Sequence, residues 1–220
     1  MLRRVTPLIC TGLLALLWMS LASQSPDREI FFDRYGPEQG LHSRQIRDIV
    51  QSSDGFIWMA TNEGLVRYDG KEFVLFFDKE VPAHLSTNRY VEAMTIDDRD
   101  QIWMANNEQV SVYSVPAGTW NYLIDSTGSS AIFAMDFRYD PKKHRMWISG
   151  GRGLCFVDEN FKVHPFSFRE PNYARFTYNT ITLQHDTAIW LGNTYGYYRL
   201  NPKTGTMEDY QFAKIALPKE

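Results

Sequence analysis

Nucleophiles, bases and metal ligands are present in this 220-residue chain, but they are scattered. The five histidines, His42, His84, His144, His164 and His185, show no i, i+3 or i, i+4 pairing that would aim two imidazoles at one metal. Asp97-Asp98-Arg99-Asp100 has the carboxylate density of a calcium loop but lacks its central glycine and distal glutamate, so it reads as a solvated turn. Gly150-Gly151-Arg152-Gly153 has the composition of a phosphate cradle, yet it lies at a strand-to-strand hairpin, with no helix N-terminus to hold an anion. No G-x-S-x-G or H-E-x-x-H pattern occurs. Cys155, inside Leu154-Cys155-Phe156-Val157, reads as a small packed side chain rather than a nucleophile. These patterns predict no catalytic residue, no metal site and no cofactor, and the chain is not expected to be an enzyme.

Composition narrows the class further. A net charge of −3 gives no basic footprint for nucleic acid, while 14 Phe, 12 Tyr and 6 Trp favour strands. Arg3 and Arg4, the uncharged run Leu8 to Met19, and Ser20-Leu21-Ala22 have the order of a signal peptide over 1–22, which predicts a periplasmic protein. Its removal would leave Cys155 as a single cysteine, so the folded domain must hold itself together by packing.

The elements that must position any site come from a repeat. Trp58, Trp103, Trp147 and Trp190 stand 45, 44 and 43 residues apart. Each lies between apolar neighbours and is followed two residues on by a small one: Ala60, Ala105, Ser149, Gly192. Six residues on comes glycine (Gly64, Gly153, Gly196), with Gln109 as the exception. In the first copy the spacing predicts strands over 47–51, 56–61, 65–68 and 72–77, separated by Ser52-Ser53-Asp54-Gly55, Asn62-Glu63-Gly64 and Asp69-Gly70 turns. No apolar stripe of helical period appears.

Four short antiparallel strands in about 44 residues make one blade of a β-propeller. The expectation is an all-β fold of four such blades over 40–87, 88–129, 130–177 and 178–220, behind an N-terminal strand segment over 23–39. The tryptophans are expected to fill the gaps between blades. A ligand would meet the end of the blades where second strands turn into third and where one blade leads into the next. The candidate residues there are Asn62, Glu63, Asn107, Glu108, Arg152 and Tyr195 in the turns, and Arg89, Tyr90, Tyr173, Arg175 and Tyr178 in the connectors. Aromatic and planar polar groups together suit a sugar ring.

The run from Gly40-Leu41-His42-Ser43 through DIVQSSDGFIWMATNEGLVRYDGKEF resembles the two-component regulator propeller repeat, and the other copies resemble it more loosely. The resemblance implies the periplasmic sensory part of a bacterial hybrid two-component system, in which seven-bladed propellers precede a membrane helix and an intracellular kinase or other output. Neither a second apolar span nor a kinase histidine box is in this sequence. The four blades are therefore expected to be an open, incomplete part of a seven-bladed ring and a truncated sensor. Partners would be an oligosaccharide or other small ligand, and further blades or a downstream sensor or kinase chain. The alternatives are an exported propeller enzyme such as a lyase, or a scaffold that completes its ring with another chain.

Glu29 to Tyr35 resembles the outermost strand of a blade, while the fourth repeat has its own outer strand over 207–212. An open arc would also expose Ile181, Leu183, Ile189, Leu191, Tyr197 and Leu200 on its last sheet and so self-associate. Export is checked by N-terminal sequencing of protein recovered from the cell envelope: the mature chain is expected to begin at Ser23, and an intact Met1 contradicts cleavage.

Overall fold

The computed structural model describes residues 31–76, 89–106, 109–124, 132–151, 153–185 and 187–211. The sheets all lie in the unit that begins at Tyr35. Blade 1 comprises β1 (Ile46–Gln51), β2 (Ile57–Thr61), β3 (Gly64–Tyr68) and β4 (Phe73–Phe76). Blade 2 comprises β5 (Ala93–Ile96), β6 (Gln101–Ala105), β7 (Val110–Ser114) and β8 (Thr119–Tyr122). Blade 3 follows with β9 (Ala134–Asp140), β10 (Arg145–Gly150), β11 (Gly153–Val157) and β12 (Val163–Pro165). Blade 4 is β13 (Thr180–Gln184), β14 (Ala188–Asn193), β15 (Gly196–Leu200) and β16 (Met207–Gln211). Each is an antiparallel sheet in sequence order. Among the described residues the helical turns are two short 3-10 segments, Pro37–Gln39 and Pro171–Arg175. The four expected four-stranded blades are the ones observed, with every column tryptophan on a second strand.

Neighbouring blades meet along their first strands, β1 beside β5, β5 beside β9 and β9 beside β13. Side chains alternate between the two faces of a strand, so each blade has a tryptophan face and a back face. Trp58 with Ala60 and Leu65 packs on Met94, Ile102, Met104 and Tyr113 from the back of blade 2. Trp103 with Val110 and Val112 packs on Phe137, Met146 and Ile148 of blade 3. Trp147 with Leu154 packs on Ile181, Ile189, Leu191 and Leu200 of blade 4. These three indoles are each 1% exposed, whereas Trp190 is only half-buried.

Blade 4 therefore departs from expectation. Ile181, Ile189, Leu191 and Leu200 are buried against blade 3, with Leu183 packed beside them, and of the six residues only Tyr197 lies on the outward face. The reason is the two-residue period. Ile189 and Leu191 flank Trp190 and so point the opposite way. The outward face instead carries the cross-strand rows Thr182, Trp190, Arg199, Glu208 and Thr180, Gly192, Tyr197, Tyr210. Arg199 pairs with Glu208 at 3.2 Å, and the Tyr210 hydroxyl donates to the same carboxylate at 3.1 Å.

The back of blade 1 is covered in part by its own chain. Leu41 is buried with Met59 and Val66, and the Tyr35 ring stands 5.5 Å from Tyr68 and 5.7 Å from Phe73. Residues 31–35 lie in no strand; the rest of the expected strand, Glu29 and Ile30, lies outside the described residues.

Three of the indole N–H groups share one device: the residue six before the tryptophan accepts the Nε1–H, Ser52 at 2.9 Å, Asp97 at 3.1 Å and, at the half-buried Trp190, Gln184 at 2.8 Å. The third copy has Pro141 there, and in this blade the Arg145 guanidinium lies 4.4 Å above the Trp147 ring. Arg145 is also 4.6 Å from Phe156, the cross-strand partner of Trp147. Blade 1 has the same pair interchanged, with Phe56 two residues before the tryptophan and Arg67 across from it, 4.5 Å from the Phe56 ring. One Arg–aromatic stack is thus conserved in space while its residues trade strands.

Alanine substitutions are expected to follow these burials. Trp58→Ala or Trp103→Ala should cost about 3–5 kcal/mol, and Trp190→Ala on the order of 1 kcal/mol. Chemical denaturation of the variants reads this directly; equal losses at Trp103 and Trp190 would contradict the assigned faces.

Candidate ligand-binding face

The turns between second and third strands and the connectors between blades occupy one end of the arc because the backbone stitches them together. Val91 N–H donates to the Thr61 carbonyl at 3.1 Å and Glu92 N–H to that of Ala105 at 2.8 Å. Gly151 N–H donates to Phe133, Tyr178 N–H to Gly150 and Asn179 N–H to Gly192. Two glycines are required at these junctions. Gly64 has φ +132 and a side chain there would meet Leu75 at 3.3 Å; Gly153 has φ +84 and would meet the Ala174 carbonyl at 2.9 Å.

Asn62 and Glu63 lie in the β2–β3 turn, and Arg89, in the connector from blade 1 to blade 2, passes beside Gly64 of that turn. Asn62 Nδ2 donates to Gln45 Oε1, and Glu63 N–H donates to Thr61 Oγ1 at 3.1 Å. Arg89 sits beside Gly64, and its neighbour Tyr90 carries the Arg47 guanidinium 5.4 Å from its ring centre. Arg175 ends the 3-10 segment that packs on β11 at the junction of blades 3 and 4. Tyr178 is fully buried there, its hydroxyl donating to the Tyr173 carbonyl at 3.0 Å. Tyr195 is 69% exposed at the β14–β15 turn. The candidates Asn107, Glu108 and Arg152 lie outside the described residues. A small pocket on the back of blade 1, lined by Val66, Phe73 and Leu75, also takes in Glu63, His42 and Ser43. Residue type and spacing gave no signal for His42 and Ser43, because they reach it from the segment before β1.

The other polar clusters stand at the opposite end of the blades, in the first and third hairpin turns. Asp97-Asp98-Arg99-Asp100 is the expected turn, with Asp98 and Arg99 exposed, and it is also a junction between blades. Asp97 accepts from Trp103, from Arg99 N–H at 3.0 Å and from Gln101 N–H at 2.9 Å. Asp100 accepts from the Ser53 backbone at 2.9 Å and from the Ser53 hydroxyl, while Asp98 accepts from the Tyr139 hydroxyl. One turn thereby ties blade 2 to blades 1 and 3. Burial, and then the hydrogen bond to Asp98, push the Tyr139 phenol well above its ordinary value, keeping it a donor.

His144 lies 3.7 Å from Asp98, and His164 lies 2.8 Å from Asp158 and stacks on Phe156. The hydrogen bond from His164, followed by that from the Lys162 backbone, lowers the Asp158 carboxyl. Among the described residues no group of three or more His, Cys, Asp or Glu is placed to hold a metal ion.

Residues 40–63 match the family model described as two component regulator propeller. No curated protein sequence matches the chain. Among solved structures it is similar to the extracellular domain of BT3049, described as a hybrid two component system, from B. thetaiotaomicron: 19% identity and a TM-score of 0.69 over 82% of this chain and 26% of that one. The extracellular domain of BT4673, described likewise and from the same organism, gives 23% identity and a TM-score of 0.60 over 82% and 22%. Virginiamycin B lyase from Staphylococcus aureus gives 14% and 0.58 over 79% and 56%. The chain spans about a quarter of the length of the two extracellular domains. At these identities the likeness establishes the propeller fold.

Cys155 packs against the core between blades 2 and 3, and burial pushes its thiol up to about 12. The thiolate, which is the reactive form, is therefore scarce in the folded chain across pH 7–9. Maleimide labelling of the chain from Ser23, which lacks Cys10, is expected at about pH 8 to be slow in the native protein and fast once it is unfolded. Equal rates would contradict the packing.

Proposed function

We propose that this chain is the ligand-recognition propeller of an exported sensor in a two-component signalling system, acting as a binding module without chemistry of its own. The observation that carries the reading is the regulator-propeller match at residues 40–63, on a fold shared with extracellular sensor domains. The order of residues 1–22 supports export. In this reading the output lies in a kinase chain or domain that the propeller addresses.

The ligand class is an oligosaccharide or another small polar molecule. Asn62 and Glu63 in the β2–β3 turn and Arg89 in the passing connector supply planar hydrogen-bonding groups, Tyr90 follows Arg89 in that connector, and Tyr195 supplies an exposed ring. An aromatic face with planar polar neighbours is the surface that a sugar ring requires. The lyase likeness supports the shared fold. The His144–Asp98 and His164–Asp158 pairs, which acid–base chemistry would draw on, are held at the far end of the blades from these turns.

Thermal-shift titration of the purified chain against a panel of neutral and acidic oligosaccharides tests this. A saturable rise in Tm with a subset is expected. Arg89→Ala should weaken that binding about tenfold, and His144→Ala and His164→Ala should leave it unchanged. No shift with any glycan contradicts the ligand class, and turnover of a bound glycan would replace the binding module with the enzyme.

A further inference from the structure

On the first strand of each blade, the residue across from the small column position is Asp48, Ala93, Asp136 or Thr180. It sits at the candidate ligand end. In blades 2 and 4 the residue just before it donates its N–H to the small-column carbonyl, Glu92 to Ala105 and Asn179 to Gly192, each at 2.8 Å. Asp48 and Asp136 share their local geometry. Each adjoins a register shift, and each turns Oδ1 back onto the next backbone N–H at 2.8 Å.

Their surroundings differ. Asp136 Oδ1 also accepts from Arg138 at 3.0 Å. Its Oδ2 reaches across to blade 4, where Thr180 Oγ1 donates at 2.9 Å and Ile181 N–H at 3.0 Å. Blade 1 has Val50 where blade 3 has Arg138, and blade 2 has Ala93 where blade 4 has Thr180. Asp48 shares the tryptophan face with Val50, which packs at the junction with blade 2. Among the described residues its carboxylate has no ion pair and accepts from the Ile49 N–H alone, although it is only half-buried. The adjacent Arg47 stacks on Tyr90 instead.

We propose that Asp48 anchors the ligand of this face, its Oδ2 accepting from a sugar hydroxyl in the place that Thr180 Oγ1 takes on Asp136. The assignment rests on the oligosaccharide reading and narrows it. A carboxylate with no paired cation accepts from hydroxyls and repels anions, so the sugar is a non-acidic one. Asp48 lies across from Ala60, two residues before Asn62, within reach of a ligand that also touches the β2–β3 turn.

Titration of the purified chain with methyl α-glucoside, methyl α-mannoside, methyl β-galactoside and glucuronate, followed at the Ile49 amide by NMR, tests this. A saturable shift with at least one neutral glycoside and none with glucuronate is expected. Asp48→Asn should weaken that binding about tenfold. Ala93→Thr should abolish it and raise Tm, because the new hydroxyl meets Asp48 as Thr180 meets Asp136. Should the threonine variant not fold, Ala93→Ser takes its place with the same expectation. Glycan binding that leaves Ile49 unshifted, or that neither variant changes, overturns the assignment and leaves the ligand class standing. So does loss in Ala93→Thr with Asp48→Asn unaffected, which steric filling alone explains. A chain that binds no glycan overturns the ligand class and the assignment with it.

Discussion

The structure depends on one steric fact: a four-stranded antiparallel sheet of this size has two apolar faces and no means of burying either alone. The column tryptophan solves this for one face of each blade by filling the gap to the next, with a small residue two positions on to let the neighbour approach. Burying an aromatic of this size removes some 150–250 Å2 of surface from water, and three of the four indoles are 1% exposed. The fold is consequently a series of nearest-neighbour interfaces, and its ends are chemically distinct from its middle. On the back of blade 1 Tyr35 and Leu41 pack where a tryptophan packs on the back of blade 2. At the blade 4 end the exposed rows become Thr, Arg, Glu and Tyr, which tolerate water while leaving the indole edge accessible.

Polar groups then lock what the tryptophans bring together. An acceptor six residues upstream satisfies the indole N–H in three copies, where an unsatisfied buried donor would cost about 1–3 kcal/mol. Carboxylates cross the junctions: Asp100 to Ser53, Asp98 to Tyr139, and Asp136 to Thr180 and the Ile181 backbone at 2.9 and 3.0 Å. These ties account for the divergence among the copies. The second copy forgoes the turn glycine by building its turn from Asn106, whose side chain accepts from Gln109 N–H at 2.8 Å. The first and third trade Arg and Phe across adjacent strands.

Much of this was legible in the amino-acid order. The 45-44-43 spacing placed every column tryptophan on a second strand, because a repeat of that length admits few other arrangements. The face of each residue on blade 4 was also present in the period of two: Ile189 and Leu191 cannot share a side with the Trp190 between them. What sequence could not convey were contacts across long separations. Asp97-Asp98-Arg99-Asp100 has the composition of a solvated turn, and its partners Ser53 and Tyr139 are about 40 or more residues away. The same holds for Tyr35 against Tyr68, and for His42 beside Glu63, which meet only because the entering segment folds over blade 1. On the candidate face, residue type and turn position nominated Asn62, Glu63 and Arg89, and the structure puts the first two in the β2–β3 turn and Arg89 beside Gly64 of the same turn.

The central claim is that stability passes from blade to blade through the tryptophan faces. Amide hydrogen exchange, resolved strand by strand under native conditions, measures this most directly. The account predicts the slowest exchange in β6 and β10, which lie in sheets flanked by a blade on both sides, and the fastest in β15 and β16 of blade 4. Uniform protection across all four blades, or blade 4 as the most protected, would contradict it.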